Sequence, residues 1–134
     1  MTKGILLDSV AVSDLMGSVS GVREQLSVFD TIYISPIVIG ETLFAYENSA
    51  RRDQNRSLYA AISELWIKLP VTARTADLFA QIRKSQQKKG LSIPLHDIWI
   101  AATALEYDLP LLTRDAHFNS VDDLTVISWG FRQE

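Results

Sequence analysis

Asp8, Glu41, Asp97 and Asp115 are the residues of this chain whose types and placement could do chemistry together. Asp8 closes the short apolar run Ile5-Leu6-Leu7, Glu41 interrupts an apolar helical stripe, Asp97 opens a second apolar helical pattern, and Asp115 follows Leu111-Leu112 in the segment Thr113-Arg114-Asp115. Each has an ordinary reading when taken singly. Asp8 and Asp97 suit helix caps or first-turn acids, worth about 0.3–1 kcal/mol each, and Asp115 suits the start of a turn. Glu41 is harder to place, because an unpaired carboxylate among apolar side chains is costly, and a salt bridge to an arginine is its best neutral explanation. As a group the acids pose a different problem. Two carboxylates about 4 Å apart repel by roughly 4 kcal/mol at an effective dielectric of 20, so a cluster requires a counter-cation. Oxygen ligands in a chain without cysteine select hard divalent ions, Mg²⁺ or Mn²⁺. Such ions lower the pKa of an attacking water and stabilise the charge on a phosphodiester, so phosphodiester hydrolysis is the reaction that suits the set best.

The elements that must position these groups are legible in the periodicity. Ile5 to Leu7 reads as a strand and Val10 to Met16 as a short helix stopped by Gly17. A second helix is expected over Val22–Phe29 and a strand over Thr31–Ile34. Ser35-Pro36 is an N-cap followed by proline at the first helical position, which starts a helix running to about Asn48 with Glu41 in its apolar stripe. Longer helices are predicted over Arg51–Lys68 and Thr72–Lys89, separated by a brief strand at Leu69-Pro70-Val71. In Pro94–Phe118 an almost wholly apolar helix, a turn at Glu106-Tyr107-Asp108 and a buried strand around Leu109–Leu112 lie between Asp97 and Asp115. Leu124–Ile127 is the last candidate strand. Strands alternating with helices predict an α/β fold of three α/β/α layers around a central, mostly parallel sheet with right-handed crossovers. In such sheets the carboxyl ends of the strands and the neighbouring helix starts share one edge, where sites form. All four acids fall near that edge.

Composition narrows the classes. The 134 residues are enough for one domain spanning 1–134, and 47% hydrophobic with 22% charged residues is ordinary for a globular chain. No apolar run reaches the roughly 18 residues of a membrane span, and the start has too short an apolar region for a signal peptide, so a cytoplasmic protein without membrane association is expected. The absence of cysteine excludes disulfides, thiol catalysis and thiolate zinc sites. A net charge of -3 argues against gripping nucleic acid by bulk positive charge, while leaving room for a local basic groove. No glycine-rich phosphate loop is present, which removes P-loop and dinucleotide-binding readings.

Asp8-Ser9 after the first strand, Glu41 in Ser35-Pro36-Ile37-Val38-Ile39-Gly40-Glu41, Asp97 in His96-Asp97-Ile98-Trp99-Ile100-Ala101-Ala102-Thr103-Ala104, and Leu112-Thr113-Arg114-Asp115-Ala116-His117-Phe118 together resemble the PIN-domain ribonucleases. The nearest branch looks like the VapC toxins of toxin–antitoxin pairs, and the match covers essentially the whole chain in order. The resemblance implies that Asp8, Glu41, Asp97 and Asp115 are catalytic and ligate Mg²⁺, with Mn²⁺ as a substitute, and that the hydroxyls of Ser9 and Thr113 support them. It implies a metal-dependent endoribonuclease that attacks RNA through metal-activated water, acts on structured RNA such as tRNA or rRNA, forms a homodimer and is inhibited by a VapB-type antitoxin. One position departs from the pattern: Val10 stands where members commonly carry a polar residue, and valine can neither donate nor accept a hydrogen bond.

Other residues admit two readings. Arg51, Arg52, Arg83, Lys84 and Arg114 are candidates for RNA or antitoxin contacts, together with Arg56, Lys88 and Lys89; the alternative is a solvated helix face. His96 and His117 flank the acids, and as loop histidines they are more simply hydrogen-bonded than catalytic. Trp66 and Trp99 read as core residues rather than platforms for bases. Two rival functions stay open at the level of sequence. One is a catalytically weak PIN-like module that acts by binding a protein, motivated by Val10; the other is a receiver-like Mg²⁺-binding signalling domain, which lacks its expected Asp and Lys at Leu69–Thr72 and Leu112-Thr113.

Overall fold

A computed structural model of the chain describes residues 3–130; the remaining ends of the single domain expected over 1–134 lie outside the described residues. Five strands form one sheet: β1 (Gly4–Leu7), β2 (Thr31–Ile34), β3 (Ile67–Lys68), β4 (Leu111–Leu112) and β5 (Val126–Ile127). Their order is β3-β2-β1-β4-β5, and every pairing is parallel. The helices are α1 (Ser9–Met16), α2 (Val22–Leu26), α3 (Pro36–Glu47), α4 (Arg52–Ile62), α5 (Ala73–Lys88) and α6 (Leu95–Glu106), with a 3₁₀ turn at Ala116–Ser120. Among the described residues no helix is long and apolar enough to cross a membrane.

The order explains where a site must lie. From β1 the chain builds outward through β2 to β3, then returns to add β4 and β5 on the other side of β1. The reversal makes the gap beyond the carboxyl ends of β1 and β4 a topological switch point, the position where open α/β sheets place ligands. Register brings Leu7 beside Leu112, so Asp8 and Thr113 are the next residues on each strand, and the Asp8 amide donates to the Leu112 carbonyl at 3.3 Å.

Burial follows from the sequence. Ile5, Leu6, Leu7, Leu111 and Leu112 are fully buried, as strands covered on both faces require. In α6, Ile100, Ala101, Ala102 and Ala104 are also fully buried; their small side chains let the helix lie close to its neighbours, so α6 is a rigid mount for Asp97. Trp66 is buried and meets Tyr59 edge-on, while Trp99 stacks on Phe79 with ring centroids 4.2 Å apart, so both serve packing as expected.

Several boundaries differ from the sequence reading. The helix expected over Arg51–Lys68 ends at Ile62, with the Ser63 amide bonded to the Tyr59 carbonyl, and the third strand is Ile67–Lys68 rather than Leu69–Val71. Tertiary pairing overrides the helical pattern: Tyr33 and Ile34 of β2 pair with Ile67 and Lys68 of the edge strand β3, the ladder extends one bond further through Leu69, and Pro70 has no N–H to continue it. Leu65, which helical spacing from Leu58, Ala61 and Ile62 would place on the inner face, is consequently 89% exposed. The helix expected over Val22–Phe29 is also shorter, ending at Leu26.

Candidate metal centre

Local structure fixes each acid. Asp8 is the N-cap of α1, its Oδ1 accepting from the Ala11 amide at 2.7 Å, and its Oδ2 accepts a hydrogen bond from the Thr113 hydroxyl. Thr113 also accepts from the Asp115 amide at 2.9 Å, so one hydroxyl ties the end of β1 to the loop that carries Asp115. Asp115 in turn caps the 3₁₀ turn by accepting from the His117 amide at 2.9 Å. Asp97 lies in the first turn of α6, and Glu41 sits in the second turn of α3, a helix started by Ser35 capping the Val38 amide at 3.3 Å. The ordinary capping roles and the cluster therefore coexist: the caps are what hold the carboxylates at the switch point.

The two histidines lie between these acids. His96 Nε2 is 3.1 Å from Glu41 and 3.4 Å from Asp97. His117 Nδ1 is 3.3 Å from Asp97 and 3.2 Å from Asp115. Asp97, Asp115 and His117 offer ligand atoms all within 4.8 Å of one another, close enough for one metal ion to be held by all three. The sequence places both histidines beside the acids but favours an ordinary hydrogen-bonded loop role for each; His96 instead stands in the first turn of α6 and His117 in the 3₁₀ turn. The available signal was spacing, since His96 precedes Asp97 directly and His117 stands two residues after Asp115 on a tight turn.

The electrostatics show carboxylates crowded and dehydrated. Burial pushes the Asp8 carboxyl up to about 6; the hydrogen bonds from Thr113 and Ala11 draw it partly back, and the charges of Asp97 and Asp115 add to the rise. Asp97 is raised by burial, with His117 and His96 pulling down and Asp115 pushing up. Burial raises Glu41 as well, opposed by His96 and assisted by Asp97, with the Ser9 hydroxyl lowering it. The Glu41 Oε1 atom is buried without a hydrogen-bond partner. Carboxyls raised by burial within range of one another's charge, with an orphaned carboxylate oxygen among them, suit a site built for a cation. Four carboxylates with two imidazoles close by form a donor set suited to a hard divalent ion.

Not every candidate joins the cluster. Arg114 turns to α1: its guanidinium lies 2.7 Å from Asp14 and 5.4 Å from the Trp129 ring, and the Trp129 Nε1 donates to the same carboxylate at 3.0 Å. Asp14 and Trp129 are both buried, and neither figured among the site residues expected from sequence. Arg52 and Arg56 share Glu47 at 3.0 and 3.4 Å. Lys89 bonds the Ser120 carbonyl and Asp122. Arg51, Arg83, Lys84 and Lys88 are exposed.

Comparison with known proteins agrees with this geometry. Residues 5–124 match the PIN domain family. The chain is 29% identical over 130 residues to Ribonuclease VapC of Rickettsia bellii, covering 93% of this chain and 96% of that one. It is 30% identical over 108 residues to Ribonuclease VapC2 of Rickettsia felis, covering 79% and 80% respectively. Among solved structures, VapBC2 from Rickettsia felis bound to a DNA fragment from its promoter superposes with a TM-score of 0.88 at 21% identity, over 95% of this chain and 99% of that one. The parallel sheet, the acids at its switch point and a match over nearly the whole length place the chain in the PIN-domain family, on its VapC branch.

Proposed function

We propose that this chain is a divalent-metal-dependent endoribonuclease toxin, held in check by a VapB-type antitoxin. The observation that carries the reading is the convergence of Asp8, Asp97 and Asp115, with Glu41 beside them, at the switch point of the sheet, where burial and neighbouring carboxylates raise the carboxyls of Asp8, Asp97 and Glu41. Similarity to proteins named Ribonuclease VapC supports the reaction class, and solved VapBC complexes of the same fold support a protein partner. Homodimer formation, a structured RNA substrate such as tRNA or rRNA, a cytoplasmic location and a single domain belong to the same proposal.

The residues divide the work as follows. Asp8, Asp97 and Asp115 would hold Mg²⁺ or Mn²⁺, with Glu41 and His117 completing the set. Bound there, the cation offsets the carboxylate charge, lowers the pKa of an attacking water and stabilises negative charge on a phosphodiester. Thr113 orients Asp8 and steadies the Asp115 loop by donating to the one and accepting from the other. Ser9 adjoins Glu41, and His96, with its Nε2 between Glu41 and Asp97, lies where it can take up or hold a proton during cleavage. Arg83 and Lys84, exposed on α5, are available to RNA phosphates. Arg114 acts instead as a strut, fixing the segment between Thr113 and Asp115 against α1. Incubating the purified chain with RNA in Mn²⁺ and mapping the new termini tests the proposal; RNA left intact across structured and unstructured substrates would overturn it.

A further inference from the structure

Val10 has a structural counterpart beside the acids. Between α1 and α3 opens a cavity of about 390 Å³, and Val10 is part of its wall. Met16 and Ala45 extend the apolar lining, Tyr46 supplies an aromatic ring, and Ser13 and Thr42 add hydroxyls. Ser9 and Glu41 belong to the cavity as well as to the acid cluster, so the two spaces are continuous.

The lining selects an occupant. No lysine or arginine contributes to it, so it is not built for a phosphate. Among the described residues the hydroxyls of Ser13, Thr42 and Tyr46 enter no side-chain hydrogen bond. An aliphatic side chain from a protein partner would leave these hydroxyls unmatched and dehydrated, which is costly. A planar ring with a polar edge satisfies them, with its face against Tyr46 and the aliphatic wall; unpaired bases in RNA are read in this way, by aromatic contact and hydrogen bonds to the exposed edge. Burial, with Tyr59 adding a smaller effect, raises the Tyr46 hydroxyl, so it remains a donor at neutral pH. A strand whose scissile phosphate lies at the carboxylates brings its neighbouring nucleoside to the mouth of this cavity.

We propose that the cavity between α1 and α3 is a subsite for the unpaired nucleobase flanking the scissile phosphate, and that its lining, Val10 included, sets base preference at that position. The inference rests on the ribonuclease reading above. Valine in place of a polar residue then gives one wall of the subsite its apolar character.

The test uses the full chain with Mn²⁺ and a pool of unstructured RNA dodecamers of randomised sequence, with both cleavage ends sequenced. The wild type is expected to favour one base at one position beside the cut. Ala45→Trp, which fills the cavity from its exposed rim, and Val10→Asn, which makes its wall polar, should each change that preference by roughly tenfold or more. Mn²⁺ affinity by titration calorimetry and the thermal midpoint by circular dichroism should stay within error of the wild type. Cleavage with an unaltered base preference in both variants overturns the subsite while leaving the nuclease reading intact. Loss of inhibition by co-expressed antitoxin, with the base preference intact, assigns the cavity to the protein partner and likewise overturns the proposal. Failure of the wild type to cut any RNA in the pool removes the nuclease reading and the subsite with it.

Discussion

Asp8 carries two duties that conflict energetically. As the cap of α1 it is held by the Ala11 amide and the Thr113 hydroxyl, yet it is almost fully buried beside two other acids. Its carboxyl, ordinarily near 3.8, is pushed up to about 6. A carboxyl whose folded pKa is raised binds its proton more tightly in the native state, so its contribution to stability is full below about pH 4 and lost as pH rises through about 6. A rise of about two units at roughly 1.4 kcal/mol each puts the loss near 3 kcal/mol. Asp97 and Glu41 are shifted in the same direction and act with the same sign. Metal-free protein in EDTA should therefore melt at a higher temperature at pH 5 than at pH 7.5, and Asp8→Asn should raise the midpoint at pH 7.5 while flattening the dependence. Calorimetric melts across that range check it, and an Asp8→Asn protein less stable than wild type at pH 7.5 would contradict it. The convergence of the four acids was legible in the sequence because each ends a strand or breaks an apolar pattern. His96 and His117 were not, since hydrogen-bonded loop histidines look the same in one dimension; only the fold brings each within about 3.4 Å of a carboxylate oxygen.

At the scale of elements, the strut between α1 and the two C-terminal strands holds the site's far wall. Asp14 accepts from both Arg114 and Trp129, tying the residue after Thr113 and the residues after β5 to one helix. Asp14→Ala leaves the indole N–H buried and the guanidinium without its close carboxylate. Because Arg114 is about a third exposed, the loss is discounted to about 2 kcal/mol, a drop of several degrees in the melting midpoint by circular dichroism. An unchanged midpoint would show that the strut does not bear on the fold. Sequence periodicity placed β1, β2, α3 and α6 well because their signals are local: a continuous apolar run, the Ser35-Pro36 start, and an alanine-rich apolar helix. It misplaced β3, since Leu58, Ala61, Ile62, Leu65 and Trp66 keep helical spacing past the true end of α4. What makes Ile67–Lys68 a strand is pairing with a segment more than thirty residues earlier, which no local pattern encodes. Trp129 was equally silent, as its partner stands 115 residues away.

For the whole molecule, a net charge of -3 means that the proposed RNA substrate would be met by local cations rather than by a general positive field. Arg83 and Lys84 are exposed on α5, whereas Arg52, Arg56, Lys89 and Arg114 are engaged with acidic partners. Replacing both Arg83 and Lys84 by alanine should weaken single-stranded RNA binding at low salt and reduce the slope of log K against log salt by about 1.4, from two phosphates at about 0.7 each. Fluorescence anisotropy over a salt series reads this, and an identical slope would remove α5 from the RNA path. Whether the acids at the switch point of the sheet form a metal-dependent RNA-cleaving centre is decided by RNA cleavage by the wild type and Asp97→Asn, each with Mn²⁺ and with EDTA. Cleavage is expected from the wild type in Mn²⁺ and none in EDTA, with a rate for folded Asp97→Asn lower by more than about a hundredfold, beyond what loss of an outer partner brings. Equal cleavage by the two proteins, or cleavage that persists in EDTA, would contradict a metal-dependent centre.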